Sequence, residues 1–211
     1  MHRQFLPVLI LLLAFLIAGA PARAELRITE VLSAPASDWD GDGVVDIKFD
    51  EWVEVMNTGP DPVDLADTYL RDGTGTAWHY GFSGTLQAGE IRLVTGAASF
   101  QWQADNAAGT SGLSLNNTGD LVELVHAPEG GPETLVDSVE VPSHAAQADR
   151  ALAWHEGLGT WILHDGINPY GGDFVPVGTG CAPSPGIENA CSSSVPVEES
   201  SVGRLKAVWE N

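Results

Sequence analysis

Basic residues are scarce in this sequence. Its 211 residues include 9 Lys and Arg against 29 Asp and Glu, so the formal net charge is −20 at neutral pH. A surface this acidic repels nucleic acid and anionic membranes, and we therefore expect neither as a partner. The charge favours divalent cations, basic partners or simple solubility. Apolar residues make up 44% of the chain, which is typical of a globular protein and not of an acidic disordered one.

Cysteines and catalytic motifs are also few. The two cysteines, Cys181 and Cys191, are close in sequence, and in an exported chain we expect them to form one disulfide. A redox or metal-binding pair is the alternative, but the CxxC spacing is missing. The histidines show neither HExxH nor HxH spacing, and the sequence has no GxSxG motif and no phosphate-binding loop. The sequence therefore offers no candidate for nucleophilic catalysis, and we expect a protein that is not an enzyme.

The sequence contains one long apolar run, at its N-terminus. Arg3 precedes apolar residues 5–18, and Ala22-Arg23-Ala24 follows them. This pattern predicts a signal peptide over residues 1–24, with a secreted, extracellular or cell-surface mature chain and no membrane span after cleavage. An uncleaved N-terminal anchor is the alternative, although the run is shorter than the ~20 residues of a typical span. The absence of cysteine at the cleavage site argues against a lipoprotein anchor.

After the signal, no window of twelve or more residues has the apolar period of a helix. Short β-rich segments alternate instead with Gly, Pro, Asn and Asp turns. Strands are predicted at 26–32, 51–56, 68–71, 91–95, 121–125 and 135–141. In the second of them, Trp52, Glu54 and Met56 share one face and Val53 and Val55 the other. Residues 96–112 are predicted to form a long surface loop, and 142–190 to be irregular. The pattern predicts an all-β sandwich.

Acidic residues crowd the segment between the first two predicted strands. Asp38, Asp40, Asp42 and Asp46 stand at the first, third, fifth and ninth positions of an EF-hand-like or dockerin-like calcium loop, with Gly43 at the sharp bend. The carbonyl of Val44 would occupy position seven. Position twelve is Phe49, so the bidentate acid would have to come from Asp50 or Glu51. We predict a structural Ca²⁺ site of modest affinity; a solvated acidic turn is the alternative.

Several segments resemble, in the right order, a lamin-tail domain. They are Ile28-Thr29-Glu30-Val31-Leu32, Glu51-Trp52-Val53-Glu54-Val55-Met56-Asn57, Val63-Asp64-Leu65, Leu70-Arg71-Asp72, Leu86-Gln87-Ala88-Gly89, Leu115-Asn116-Asn117-Thr118-Gly119-Asp120-Leu121-Val122-Glu123-Leu124, Val136-Asp137-Ser138-Val139, and the closing Ser184-Pro185-Gly186-Ile187-Glu188-Asn189. The resemblance implies an immunoglobulin-like β-sandwich over residues 25–190, without a catalytic set. Its core and motif residues would be Trp52, Glu54, Asn57, Asp64, Gly119 and Asp120.

The resemblance also implies a setting. In bacteria such domains occur on secreted or surface proteins, alone or beside hydrolase domains. Residues 191–201 are Ser-, Val- and Glu-rich and read as a linker to a short basic and apolar tail at 202–211. That tail is a hypothetical sorting or docking tag, with a frayed end as the alternative.

The sequence thus favours a non-enzymatic, secreted binding, adhesion or envelope-associated module whose ligand is an unknown extracellular protein or polysaccharide. An alternative is an accessory module that targets an extracellular hydrolase to polysaccharide. Exposed aromatic side chains would favour that function, and the candidates with their neighbouring histidine are Trp78, His79, Tyr80, Trp102, Trp154 and Tyr170. A third possibility is a hydrolase, which would need a pocket that collects His155, His164 and Asp165.

Overall fold

The computed structural model describes residues 26–73, 75–165 and 179–189. The strands are β1 (Leu26–Leu32), β2 (Trp52–Asn57), β3 (Val63–Asp64), β4 (Thr68–Asp72), β5 (Tyr80–Gly81), β6 (Thr85–Leu86), β7 (Ile91–Thr95), β8 (Asp120–His126), β9 (Thr134–Val141), β10 (Ala151–His155) and β11 (Thr160–His164), and helix α1 (Gly96–Asp105) follows β7. One sheet has the order β11-β10-β1-β2-β7 and a second the order β5-β4-β8-β9, while β3 and β6 form a small pair. The strand pairs are antiparallel, which confirms the predicted all-β sandwich.

The main core lies between the two large sheets. Its buried members include Ile28 and Val31 of β1, Val53 and Val55 of β2, and Leu124 of β8. A smaller cluster on the outer side of the five-stranded sheet contains Leu32, Trp52 and Ala151, with Trp39 and Leu93 packed against it. Strand β2 is therefore buried on both faces, and its two faces divide as the alternation predicted.

Strand β1 contains a β-bulge that simple alternation does not predict. Ile28 pairs with Val55 and Val31 with Val53, so two residues of β1 lie opposite the single residue between them on β2. The extra residue puts Ile28 and Val31 on the same side of the sheet, in the main core. It also places Thr29 and Glu30 among buried side chains.

The predicted loop at 96–112 is wrong for its first part, because Gly96–Asp105 is a helix. The Thr95 Oγ1 accepts a hydrogen bond from Ala98 N at 3.1 Å and so caps the helix. Its buried side is polar or side-chain-free: Gly96, Ser99 and Gln103. Gln103 donates from Nε2 to the carbonyl of Gly112 at 2.8 Å and accepts from Ser111 N at 2.8 Å. A helix that packs through such residues leaves no apolar period in the sequence.

Part of the region predicted as irregular, 142–190, is also ordered as sheet. Strands β10 and β11 lie within it, and β10 pairs directly with β1. Of the residues described, no helix is long or apolar enough to cross a membrane. The predicted signal peptide 1–24, the linker 191–201 and the tail 202–211 lie outside the described residues. Cys191 lies outside them as well, so the disulfide with Cys181 stays a prediction.

Three of the motif residues named above form the turns between strands. The Asn57 Nδ2 donates to the carbonyls of Asp61 at 2.8 Å and Leu86 at 3.0 Å, and its Oδ1 accepts from Gly59 N. Asp64 Oδ1 accepts from Ala66 N at 3.0 Å. Before β8, Gly119 has a φ of +110°.

The fourth motif residue, Asp120, closes the turn that precedes β8. Its Oδ2 accepts a hydrogen bond from Asn116 N at 2.9 Å. Its Oδ1 accepts from its neighbour Leu121 N at 2.8 Å. Burial raises the pKa of Asp120 against these hydrogen bonds. The carboxylate is therefore fixed by the backbone on both sides of the turn.

A substitution at Gly96, the first residue of helix α1, tests how closely this helix packs against the acidic loop, residues 38–50. A Cβ at Gly96 would lie 1.8 Å from the carbonyl oxygen of Lys48. Because that atom belongs to the backbone, we expect Gly96→Ala to lower the free energy of unfolding by about 3 kcal/mol or more. Gly75→Ala is the matched control, since its nearest neighbour is 3.7 Å away. Urea unfolding of both variants measures the difference; equal stability of the two would contradict this packing.

Candidate functional site

Three carboxylates converge in the connection between β1 and β2. One ligand oxygen from each of Asp38, Asp40 and Asp42 lies within 4.8 Å of the others. Asp38 and Asp42 are exposed, and Asp40 is half-buried. Burial, followed by repulsion from Asp42, Asp50 and Asp38, raises the pKa of Asp40. Carboxylate oxygens at this spacing are the hard ligands that Ca²⁺ takes in proteins.

The backbone of the loop wraps around these carboxylates. Asp38 accepts from Gly41 N through Oδ1 and from Gly43 N through Oδ2, both at 2.8 Å. Gly41 and Gly43 have φ values of +81° and +90°, which an L side chain adopts only with strain. Asp42 Oδ1 accepts from Val44 N at 2.7 Å. The loop backbone is thus curled by hydrogen bonds to Asp38 and Asp42, a conformation that both a cation-binding loop and a solvated acidic turn would have.

Asp46 and Asp50, predicted as further ligands, hold the loop from within. Asp46 Oδ1 accepts from Lys48 N at 2.7 Å and from Phe49 N at 3.1 Å. Asp50 is fully buried, and its carboxylate accepts from the backbone N–H groups of Trp39, Asp40 and Asp46 at 2.5, 3.0 and 2.7 Å. Neither acid belongs to the group of three carboxylates within the described part of the chain. Asp50 acts as an internal anchor of the loop.

Glu51, the other predicted twelfth-position ligand, faces away from the loop. Its Oε2 accepts a hydrogen bond from Leu115 N at 3.1 Å, and the side chain is buried. Burial raises its pKa to about 8. Asp50 and Glu51, although adjacent in the sequence, therefore bind different segments: Asp50 the loop itself and Glu51 the backbone before β8. Val44, whose carbonyl was predicted at position seven, is 61% exposed.

Asp149 is a residue of this region that the sequence analysis missed. Its carboxylate accepts from Ala36 N at 2.7 Å, Ser37 Oγ at 2.6 Å and Trp39 Nε1 at 2.8 Å. Partial burial alone would raise the pKa of Asp149, but these hydrogen bonds outweigh it and the pKa is lowered. Trp39 also packs edge-on against Trp52, with ring centroids 6.1 Å apart. The hydrogen bonds of Asp149 join segments more than 100 residues apart, and no local spacing in the sequence predicts them.

A second group of acids is buried further along the five-stranded sheet, under the closing segment 181–189. Glu30 accepts from Ser184 Oγ at 2.9 Å and lies 3.2 Å from His164 Nδ1. Glu54 accepts from Thr29 Oγ1 at 2.6 Å and from Gly186 N at 2.9 Å. Burial raises the pKa of Glu54 to about 7.

Asn189 completes the attachment of the closing segment. Its side-chain amide donates to the carbonyl of Thr29 at 2.9 Å. The predicted closing motif is therefore fixed to β1 at both of its ends and to β2 through Gly186 between them.

A cavity of about 190 Å³ opens beside this group. Glu54 and Met56 of β2, Trp154 of β10 with the adjacent Glu156, and Glu188 and Asn189 of the closing segment are among its lining residues. The guanidinium carbon of Arg27 lies 4.1 Å from the centroid of the Trp154 ring, and Arg27 Nη1 lies 3.9 Å from Glu156 Oε2. The cavity therefore combines carboxylates, an aromatic wall and an amide.

The candidate aromatic residues that the structure describes are half-buried, not exposed, and they divide between two places in the fold. Trp78, Tyr80 and Trp102 gather with Tyr69: Trp78 stacks on Tyr69 at 4.7 Å, and Trp102 lies 6.3 Å from Tyr69 and 6.1 Å from Tyr80. Trp154 lies on the other sheet, beside the cavity.

The two remaining candidates do not add to this aromatic group. His79 is half-buried, with Nδ1 2.8 Å from the carbonyl of Gly112. Its side chain thus has a backbone partner near α1. Tyr170 lies outside the described residues.

The residues that a hydrolase would need are not brought together. His155 pairs with Thr160 at one end of the β10–β11 ladder, whereas His164 pairs with Ala151 at the other. His164 is buried beside Glu30. Asp165 Oδ2 accepts from Arg150 Nε at 3.0 Å. The ladder thus separates His155 from the other two residues.

Comparison with known proteins identified one family. The family model described as Lamin Tail Domain matches residues 19–143. Searches of curated proteins and of solved structures returned no match. The matched range ends before β10 and β11, although both strands belong to the same sheet as β1.

The two strongly shifted acids predict a pH dependence of stability. The pKa values of Glu51 and Glu54 are raised from 4.5 to about 8 and about 7. The unfolded chain therefore releases these protons first, and the free energy of unfolding should fall as the pH rises from 5 to 8. At pH 8 the buried Glu51 carboxylate lowers the free energy of unfolding, and Glu51→Gln should raise it by an amount on the order of 3 kcal/mol. Urea unfolding across this range measures the slope, with the exposed Glu129→Gln as control. A slope that Glu51→Gln leaves unchanged would contradict the assignment.

Proposed function

The chain belongs to the lamin tail domain family, and from this membership we propose that it is a non-enzymatic, immunoglobulin-like binding module, secreted or held at the cell surface, with a structural calcium ion in its acidic loop. The observation that carries the calcium part is the convergence of Asp38, Asp40 and Asp42 within 4.8 Å. The apolar N-terminal run and the cleavage pattern before Glu25 support export.

The electrostatics of the loop support a cation as its ligand. Like-charged carboxylates in contact repel one another, and a divalent cation among them replaces repulsion by attraction. Asp50 holds the loop through hydrogen bonds from the loop's own backbone, and Asp149 holds the segment just before it. Its two ends continue into β1 and β2, so an ion there would stabilise the connection between two central strands. The role of the ion is structural in this proposal.

Calcium-dependent thermal unfolding tests the ion. With calcium at about one hundred times Kd, the free energy of unfolding of the native chain should be about 2.7 kcal/mol higher than in EDTA. The Asp40→Asn/Asp42→Asn variant keeps the side-chain acceptors of the turn but removes two charges, and it should lose this response. Asp61→Asn/Glu129→Gln, two exposed acids elsewhere, is the matched control and should retain it. Identical melting of the native chain in EDTA and calcium would refute the calcium site.

A second candidate function is a polysaccharide-targeting module for an extracellular hydrolase. The gathering of four half-buried aromatic residues, Trp78, Tyr80, Trp102 and Tyr69, supports it, because aromatic rings supply large rigid contact areas. Sedimentation with insoluble cellulose, chitin and peptidoglycan tests it. Binding that Trp102→Ala abolishes and Trp154→Ala leaves intact would favour this function. No co-sedimentation with any of these polymers would leave a protein partner as the proposed ligand.

A further inference from the structure

The longest edge strand of the two large sheets is β9. Among the described strands it pairs with β8 alone, so one side of its backbone, the open side, has no strand partner there. It has eight residues, whereas the other edge strands, β5, β7 and β11, have five or fewer. Its apolar residues Leu135 and Val136 are 54% and 38% exposed. Natural sheets commonly cover or block a long edge of this kind, because it pairs readily with a further strand.

The charge of β9 restricts what can cover it. Residues 129–141 contain four acids and no Lys or Arg. Glu140 is exposed and takes part in none of the ion pairs among the described residues. A second copy would bring the same acids to this edge from a chain of net charge −20, and repulsion disfavours that pairing. The charge therefore favours a strand that carries basic side chains.

The tail at 202–211 contains a segment with this character. Residues 202–209 read Val-Gly-Arg-Leu-Lys-Ala-Val-Trp, and Arg204 and Lys206 are the only two basic residues of the sequence within three positions of each other. They alternate with Leu205 and Ala207. As a strand, the segment would carry its basic side chains on one face and apolar ones on the other.

The chain leaves the described structure close to β9. The side-chain amide of Asn189 donates to the carbonyl of Thr29 at 2.9 Å. The preceding residue of β1, Ile28, donates its N–H at 2.9 Å to Asp137 of β9. Residues 190–201 can extend over as much as about 40 Å. They are therefore long enough to bring the tail to β9 of the same chain.

We propose that residues 202–209 pair with the open side of β9 of their own chain, as an additional antiparallel strand. The direction follows from the two sequence patterns. With Arg204 opposite Glu140, Val208 lies opposite Val136, so that base meets acid and apolar meets apolar. A parallel strand would instead bring Arg204 to the apolar end of β9. The proposal depends neither on calcium nor on the ligand of the proposed function.

The same register is consistent with the two faces of the sheet. Leu205 would lie opposite Val139, which belongs to the main core. Lys206 would lie opposite Ser138, which is exposed. Side chains directly opposite on neighbouring strands share a face, so the apolar side of the tail extends the core and the basic side meets water.

Amide hydrogen exchange of the ¹⁵N-labelled chain tests the pairing. The N–H groups of β9 that point away from β8 should exchange at least tenfold more slowly in the native chain than in Arg204→Glu/Lys206→Glu, because a strand partner protects them from water. Melting temperatures verify that the variant remains folded. Equal exchange of these groups in the two chains would refute the proposal.

A charge swap locates the added strand. Glu140→Lys should accelerate exchange of these N–H groups by roughly threefold or more, since it puts like charges opposite each other. Adding Arg204→Glu should restore the slow exchange. Asp61→Lys changes an exposed acid elsewhere and should leave the rates within about twofold. Equal acceleration by both single variants, or no recovery in the double variant, would overturn the placement of Arg204 beside Glu140.

The oligomeric state identifies the chain that supplies the tail. A linker of this length gives the tail an effective concentration of about millimolar at β9. The exchange rates should therefore be the same at low and high protein concentration, and light scattering should give the mass of a single chain. Exchange that slows with concentration, together with a doubled mass, would assign the tail to a neighbouring copy and overturn the proposal.

Discussion

Side-chain carboxylates that accept backbone N–H groups hold the long connections of this protein in place. Asp50 fixes the acidic loop, Asp149 fixes the segment before it, and Glu51 fixes the backbone before β8. Glu30 and Glu54 do the same for the closing segment. The acidic composition is thus only partly a surface property, because several of these acids are buried and each satisfies donors that no strand partner reaches.

The sequence predicted most strands and turns up to β9, since their signals are local, but it missed β10 and β11. Val53 and Val55 alternate with Trp52 and Glu54, and Asn57 occupies a turn with the appropriate chemistry. Helix α1 was missed because its buried side chains, Ser99 and Gln103, are polar and bind neighbouring backbone. The spacing of the acids predicted one ligand set that included Asp46 and Asp50 or Glu51, whereas the structure, within the described residues, groups only Asp38, Asp40 and Asp42. It did not predict the inward turn of Asp50, because that depends on the loop folding back over β2.

The match to the lamin tail domain and the observed sheet have different extents. The family model ends at residue 143, yet β10 covers the open side of β1 through the pairs of Glu30, Val31 and Leu32. The buried environment of Glu30 depends on this later segment, because His164 and Ser184 are its partners. Residues beyond 143 thus complete the environment of a motif near the beginning of the chain.

The partial overlap of β10 with β1 has a consequence for association between copies. Strand β10 pairs only with the second half of β1, beginning at Glu30. Beyond it, the N–H of Ile28 donates at 2.9 Å to the carboxylate of Asp137, which comes from β9 in the opposite sheet. An unpaired strand segment ordinarily templates the addition of a foreign strand. Here an acid from the facing sheet binds the N–H that β10 leaves without a strand partner, so the sandwich closes this stretch against edge-to-edge aggregation.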